Sequence, residues 1–228
     1  MVNILLTGVG GQGTVLAAKV LAMAAAAKGW QVRTAETIGM AQRGGSVVSH
    51  VRMGNLGESV HAPLVTHGTA NLIVAFEPGE AARCLGYLAP GGTVVTATTA
   101  VEPVAAALTS KPYRSQDIIE NIKLTFYNDV ANRIANSVTA TREGQRRASQ
   151  HHRLVVVDDM AVTSALGDNR KVLNSILLGA AVAKYCMPIS LDDLKGAVLA
   201  CVKPQFAQMN IDAINKVAEG IDYYANEA

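Results

Sequence analysis

The stretch VNILLTGVGGQGTVLAAKV, Val2 to Val20, decides the fold. Its first six residues, Val2–Thr7, are mostly apolar with no helical period, the signature of a buried strand. Gly8 to Gly13, GVGGQG, is the turn that follows. Thr14–Lys28 is a run of good helix formers, and Gly29 closes it. WQVRTAE, Trp30–Glu36, supplies a second strand. Strand, glycine turn, helix and strand make a βαβ unit, which favours a parallel sheet with a right-handed crossover. Gly8, Gly10 and Gly13 carry the G-x-G-x-x-G spacing. It permits a tight turn, close approach to a ligand, and an anion at the free N–H groups of the helix start. Glu36 stands 23 residues past Gly13, where the ribose-binding acid of a dinucleotide site belongs. The other reading is that the glycines only let the helix pack close to the sheet. The spacing alone leaves both open.

Working outward, the alternation is interrupted and then resumes. TIGMAQRGG (Thr37–Gly45) is a loop, SVVSHVRM (Ser46–Met53) a strand, and GNLGES (Gly54–Ser59) a turn cluster, with a short strand expected near Val60. This predicts a hairpin inserted into a mixed sheet. ANLIVAF (Ala70–Phe76) is a buried strand. Glu77–Leu88 is a helix with Pro78 in its first turn, Pro90-Gly91-Gly92 a turn, and Thr93–Thr98 another strand. In Ser115–Gln150, the residues Ile119, Ile122, Phe126, Val130, Ile134 and Val138 form one helical stripe. TREGQRRASQHH (Thr141–His152) is polar and basic. Its plain reading is a solvated helix end, and its functional reading a docking surface for an acidic partner. Arg153–Asp158 is a further buried strand. Helices follow at Met160–Leu166, Asn169–Tyr185, after the cap Ser190 with Asp193 three residues on, and at Ala207–Ala225. The predicted fold class is α/β: a three-layer, Rossmann-like mixed sheet, mostly parallel with one inserted hairpin, and a helical C-terminal part. One domain over 1–228 is expected, with 115–152 an atypical helical insertion.

Composition narrows the function classes. Half of the 228 residues are apolar and 17% are charged, enough for a sizeable core. The net charge of +2 gives no electrostatic case for nucleic-acid binding. The three cysteines, Cys84, Cys186 and Cys201, form no C-x-x-C pair, so a cluster or zinc site held by this chain alone is not expected. Reduced thiols and a cytoplasmic location are the simplest reading. Val2–Thr7 is too short and lacks the basic leader of a signal peptide. Val15–Trp30 is interrupted by Lys19 and is too short to span a bilayer, so no membrane association is expected.

The residues with chemical potential fall in two places. The first is the glycine turn: Gly8, Gly10, Gly11, Gln12 and Gly13. The second is Gln42, Arg43, Gly44, Gly45 and Ser46, where an arginine able to grip a carboxylate or phosphate precedes two glycines that allow close approach. No G-x-S-x-G elbow, H-E-x-x-H or suggestive His–Asp pair follows, so no catalytic residue and no metal site are assigned. His50 falls in a strand and reads as a packed or surface imidazole. His61 and His67 flank APLVT without carboxylates or cysteines close by, a poor metal pair.

GVGGQG, MAQRGGSVVSHVRMG (Met40–Gly54) and ANLIVAFEPGEAARCLGYLAPGG (Ala70–Gly92) together resemble the gamma-type subunits of the 2-oxoacid:ferredoxin oxidoreductases. Within them the match is closest to the small-subunit (beta) family of the indolepyruvate type. VVVDDMAVTSALGDNRKVLNSILLGA (Val155–Ala180) continues the similarity, with Asp158, Gly167, Asn174, Leu178 and Gly179 on the family's pattern. Ser115–His152 departs from it, being longer and more basic. The resemblance implies an accessory subunit of an enzyme that oxidatively decarboxylates a 2-oxoacid to an acyl-CoA, with electrons passing to ferredoxin. It implies no cofactor on this chain. Thiamine diphosphate and iron–sulfur clusters would sit on a large partner subunit, with coenzyme A as co-substrate and ferredoxin an indirect partner; a homodimer is open to the chain in isolation. The glycine turn and Gln42–Ser46 would then form one wall of the site. The competing expectation is a free-standing NAD(P)-binding oxidoreductase or nucleotide-binding protein using Glu36.

Overall fold

The computed structural model describes residues 1–38, 45–102, 112–137, 140–185, 187–220 and 223–227. The elements in order are β1 (Val2–Val9), α1 (Thr14–Ala27), β2 (Gln31–Ile38), β3 (Ser46–Gly54), β4 (Ala70–Ala75) and α2 (Pro78–Cys84). A 3₁₀ turn at Leu85–Tyr87 leads into β5 (Leu88–Ala97), α3 (Ser115–Asn136), α4 (Arg142–Ala148), β6 (Arg153–Val157) and α5 (Asp159–Ser164). A second 3₁₀ turn, Arg170–Val172, precedes α6 (Leu173–Tyr185), α7 (Leu191–Cys201), α8 (Pro204–Ala218) and β7 (Tyr223–Glu227).

The strands form one mixed sheet in the order β2-β3-β1-β4-β5-β6-β7. β1, β4, β5 and β6 are mutually parallel, and β3 runs antiparallel to both β1 and β2. The period-two alternation of strand residues sorts the core into two layers. Ile4, Leu6, Leu72, Val74, Val95 and Val157 pack with α1, α6, α7 and α8. Leu5, Ile73, Val94, Leu154 and Val156 pack with α2 and α3. The three-layer α/β fold expected from the sequence is therefore present, helical C-terminal part included.

Four local expectations are corrected. No strand forms at Val60, whose N–H donates to Gln31 Oε1 at 3.1 Å. The inserted hairpin is β2–β3 instead, and it places β3 between β1 and β2, so the first crossover skips one strand position. Pro90-Gly91-Gly92 is no free turn but an irregular stretch within β5: the β4 partners Ala70 and Leu72 meet Leu88 and Thr93, and Gly91 has φ +73°. The last helix ends at Ala218, where Gly220 takes φ +99°, and β7 covers Tyr223–Glu227 in place of a helix to Ala225.

In the 115–152 segment, Ile119, Ile122, Phe126 and Val130 are buried as the stripe predicts, while Ile134 is 46% exposed and Val138 lies outside the described residues. The basic run is solvated only in part. Arg142 and Arg146 on α4 are exposed, but His152 is buried, its Nε2 2.8 Å from Asp129 Oδ2. Ser190 and Asp193 form the expected capping box at α7. Cys84 and Cys201 are free thiols, and Cys186 lies outside the described residues. No described helix is long and apolar enough to cross a membrane.

Candidate functional site

The glycine turn is built at the C-terminal edge of the parallel strands, where open α/β sheets place their ligands. Gly11 and Gly13 have φ of +99° and +90°, conformations that L side chains rarely adopt. At Gly8 the constraint is space: an added Cβ would lie 2.7 Å from Gln12 Oε1 and 2.9 Å from Phe76 Cβ. Gln12 is a strut. Its Oε1 accepts the Val9 N–H at 2.7 Å, and its Nε2 donates to the Phe76 carbonyl at 3.2 Å. Gly10 N–H donates to the Gly45 carbonyl at 2.9 Å, which ties the turn to the start of β3.

α1 begins at Gly13 with no side-chain cap and no acidic residue in its first turn. Its first-turn N–H groups have no intrahelical acceptor, so that end of the helix is suited to an anion. It opens on a cavity of about 760 Å³ walled by three segments: Gly11–Gly13 with Leu16, Thr99–Val101 after β5, and Asp168–Lys171 with Leu173 and Asn174. Asp168 is the one described non-glycine residue with positive φ, at 59°, and Ser164 Oγ donates to its Oδ1 at 2.9 Å. Asn169 caps the 3₁₀ turn that carries Arg170 and Lys171. The buried side chain of Asn174 lies behind Gly13.

Of the second predicted group, Gln42, Arg43 and Gly44 lie outside the described residues. Gly45 touches the glycine turn as above. Ser46 turns to α2, where its Oγ donates to Glu80 Oε2 at 2.5 Å. Glu80 is buried and also meets Arg83 at 2.9 Å and Thr7 Oγ1 at 3.5 Å. Glu77 caps α2 and accepts from Tyr113 Oη at 2.8 Å. Burial, then the bond to Glu77 and its charge, push the Tyr113 hydroxyl well above its usual range.

Glu36 is exposed on edge strand β2. With β3 intervening it stands two strand spacings from β1, roughly 10 Å, rather than the one spacing of a dinucleotide site. The structure does not bring Glu36 to the glycine turn. His50 is packed: its Nδ1 accepts the Val65 N–H at 3.2 Å, and burial lowers its pKa. His67 stacks on Tyr87 with ring centroids 3.9 Å apart. Among the described residues no three His, Cys, Asp or Glu side chains gather around a metal-sized space.

Sequence reasoning missed Asp159, Arg170, Lys171 and Glu80. Asp159 is 1% exposed; its Oδ1 accepts from Thr98 Oγ1 and Thr99 N–H, and its Oδ2 faces Arg170. The available signal was the doubled acid Asp158-Asp159 at a strand end: Asp158 caps α5, which leaves Asp159 to turn inward.

Comparison with known proteins places this architecture. The model of the family described as pyruvate ferredoxin/flavodoxin oxidoreductase matches residues 3–220. An indolepyruvate oxidoreductase subunit IorB of Pyrococcus horikoshii is 32% identical over 213 residues, 93% of this chain and 92% of that one. The Thermococcus kodakarensis subunit of that name is 32% identical over 211 residues, 92% of this chain and 91% of that one. Among solved structures, the gamma subunit of a keto/oxoacid ferredoxin oxidoreductase from Geobacter sulfurreducens superposes with a TM-score of 0.61 at 18% identity, over 96% and 97% of the two chains. The 2-oxoglutarate:ferredoxin oxidoreductase of Magnetococcus marinus, solved with 2-oxoglutarate, coenzyme A and succinyl-CoA, gives 0.63 at 15% identity. That match covers all of this chain and 32% of the other, so there the fold is one part of a longer polypeptide. The match to the family model over nearly the whole chain, with relatives of similar length, means that this chain belongs to the pyruvate ferredoxin/flavodoxin oxidoreductase family.

Proposed function

We propose that the chain is the gamma-type subunit of a thiamine-diphosphate-dependent 2-oxoacid:ferredoxin oxidoreductase of the indolepyruvate type, and that the glycine-turn cavity takes the phosphate end of coenzyme A. The observation that carries the second part is the uncapped start of α1, opening on a cavity that also receives Arg170 and Lys171. Phosphates favour such a helix start, and a cation at the same cavity adds to the attraction. Coenzyme A, when bound, supplies the thiol that accepts the acyl group. The chain's own residues would bind its phosphates, keep the turn rigid through Gln12, and shape the approach through Thr99–Val101.

Thiamine diphosphate and the iron–sulfur clusters are assigned to a larger partner. This chain has three cysteines, one fewer than the four thiolates that ordinarily hold a cluster. The identity to IorB subunits supports the indolepyruvate class, and ferredoxin would be met through the partner.

Reconstitution tests the reading. The chain is mixed with the large thiamine-dependent subunit, and indolepyruvate-dependent viologen reduction is followed with and without coenzyme A. Activity that needs both chains and coenzyme A is expected. A partner fully active alone refutes the subunit role, and preference for an aliphatic 2-oxoacid refutes the substrate class.

A further inference from the structure

One carboxylate joins two walls of the cavity. Asp159 Oδ1 accepts from Thr98 Oγ1 at 3.1 Å and from Thr99 N–H at 3.0 Å, which fixes the start of the Thr99–Val101 wall. Asp159 Oδ2 faces Arg170 Nη2 at 3.4 Å, on the turn that forms another wall. All three partners direct a donor at the carboxylate, and an asparagine would set its own N–H₂ against one of them. The Arg170 side chain is 49% exposed, and among the described residues its polar contact apart from Asp159 is Met160 Sδ at 3.3 Å, a weak acceptor. A half-exposed arginine with no buried anion beside it samples many rotamers. With one Nη held by Asp159, the remaining donors of the guanidinium stay available to a second anion.

We propose that Asp159 is a positioning residue that holds Arg170 at the cavity, so that its guanidinium meets an anionic group of the ligand. This rests on the reading that the cavity takes the phosphates of coenzyme A. Asp159 touches no ligand and acts through Arg170. It also makes the walls interdependent: the wall after β5 and the cationic turn move together or not at all.

The test uses the full chain with Asp159→Asn, Arg170→Gln and the double variant. Coenzyme A affinity is measured by calorimetry. The ligand-free rate of phenylglyoxal modification at Arg170 is measured by mass spectrometry. Arg170→Gln is expected to weaken coenzyme A about ten-fold, the scale of a lost charge-assisted contact. Asp159→Asn is expected to weaken it about five-fold alone and not at all in the Arg170→Gln background, because contacts that act as a unit are not additive. Additive losses would overturn the proposal, since they mean that Asp159 acts on the fold and not through Arg170. In the ligand-free experiment Asp159→Asn should speed Arg170 modification several-fold, and an unchanged rate overturns the proposal. Should Asp159→Asn not fold, wild type decides: Arg170 is expected to react several-fold more slowly than exposed Arg142, and equal rates overturn the proposal. If wild type binds no coenzyme A while Arg170 is protected, the ligand reading fails and the Asp159–Arg170 coupling stands.

Discussion

On one face of the sheet, α1 buries Ala17, Ala18, Ala24 and Ala25 against the strands, and α6, α7 and α8 pack beside it. On the other, α2 and the 22-residue α3 cover a smaller layer, with Ile122 and Phe126 of α3 packed into it. The second face is also tied by charge. Arg133 Nε meets Asp129 Oδ2 at 2.7 Å, while Arg133 Nη1 and Nη2 donate to the carbonyls of Ala148 and Gln150. The alanine-rich face brings backbone close to backbone and leaves a cavity at its rim. The α3 face is locked by side chains. The proposed ligand cavity thus lies where small residues and glycines set the geometry, and none of the described residues of 115–152 lines it.

Breaking each face should have separable effects. Phe126→Ala removes a 2% exposed ring and is expected to cost about 3–4 kcal/mol, read as a lower urea midpoint. Coenzyme A affinity should stay within two-fold; a parallel loss would mean that the faces are not independent. Gly13→Ala should reverse this pattern. At φ +90° the new methyl costs about 1–2 kcal/mol through the backbone, since its nearest neighbour, Asn174 Nδ2, would be 3.6 Å away in ordinary contact. Coenzyme A affinity should fall more than ten-fold, and retention of wild-type affinity would exclude the glycine turn as its site.

Ser190→Ala removes the capping box of α7, far from either feature, and should cost about 1 kcal/mol with no change in binding. The smallest effect is expected at Asp129. Burial works against its ionisation, but the hydrogen bonds from His152 and Arg133 and their charges outweigh it and hold the carboxyl below its usual range. A depressed pKa stabilises the fold above the ordinary carboxylate value, about 4, and the contribution is lost as pH falls through the folded value. Asp129→Asn should therefore lower the urea midpoint at pH 6, with the gap to wild type closing in acid. A gap that persists in acid would assign the effect to shape and not to charge.

The sequence spoke clearly where a signal is local. The apolar run, the glycine spacing and Gly29 placed β1 and α1, and Ser190 with Asp193 announced α7. Partners at long range were silent. GNLGES suggested a hairpin toward Val60, but β3 pairs with β1 and β2, because the choice of partner depends on which edge the crossover leaves open. Pro90-Gly91-Gly92 has turn chemistry that β5 absorbs as a kink. At the site, the glycines were legible because their conformational demand is written in residue type. Asp159 and Arg170 were not, since a carboxylate and a cation 11 positions apart acquire meaning only when a strand end and a turn are folded together.

The insertion of β3 between β1 and β2 has a consequence for the order of assembly. Until Ser46–Gly54 is in place, β1 and β2 stand about two strand widths apart with unpaired edges. The Gly10 N–H also has no partner until the Gly45 carbonyl arrives with that strand. The glycine turn is therefore finished only when the sheet closes, so any partly folded chain lacking β3 also lacks the completed turn. Amide exchange at Gly10 should track exchange along β3 and not along α1, and the turn would then report whether the sheet is whole.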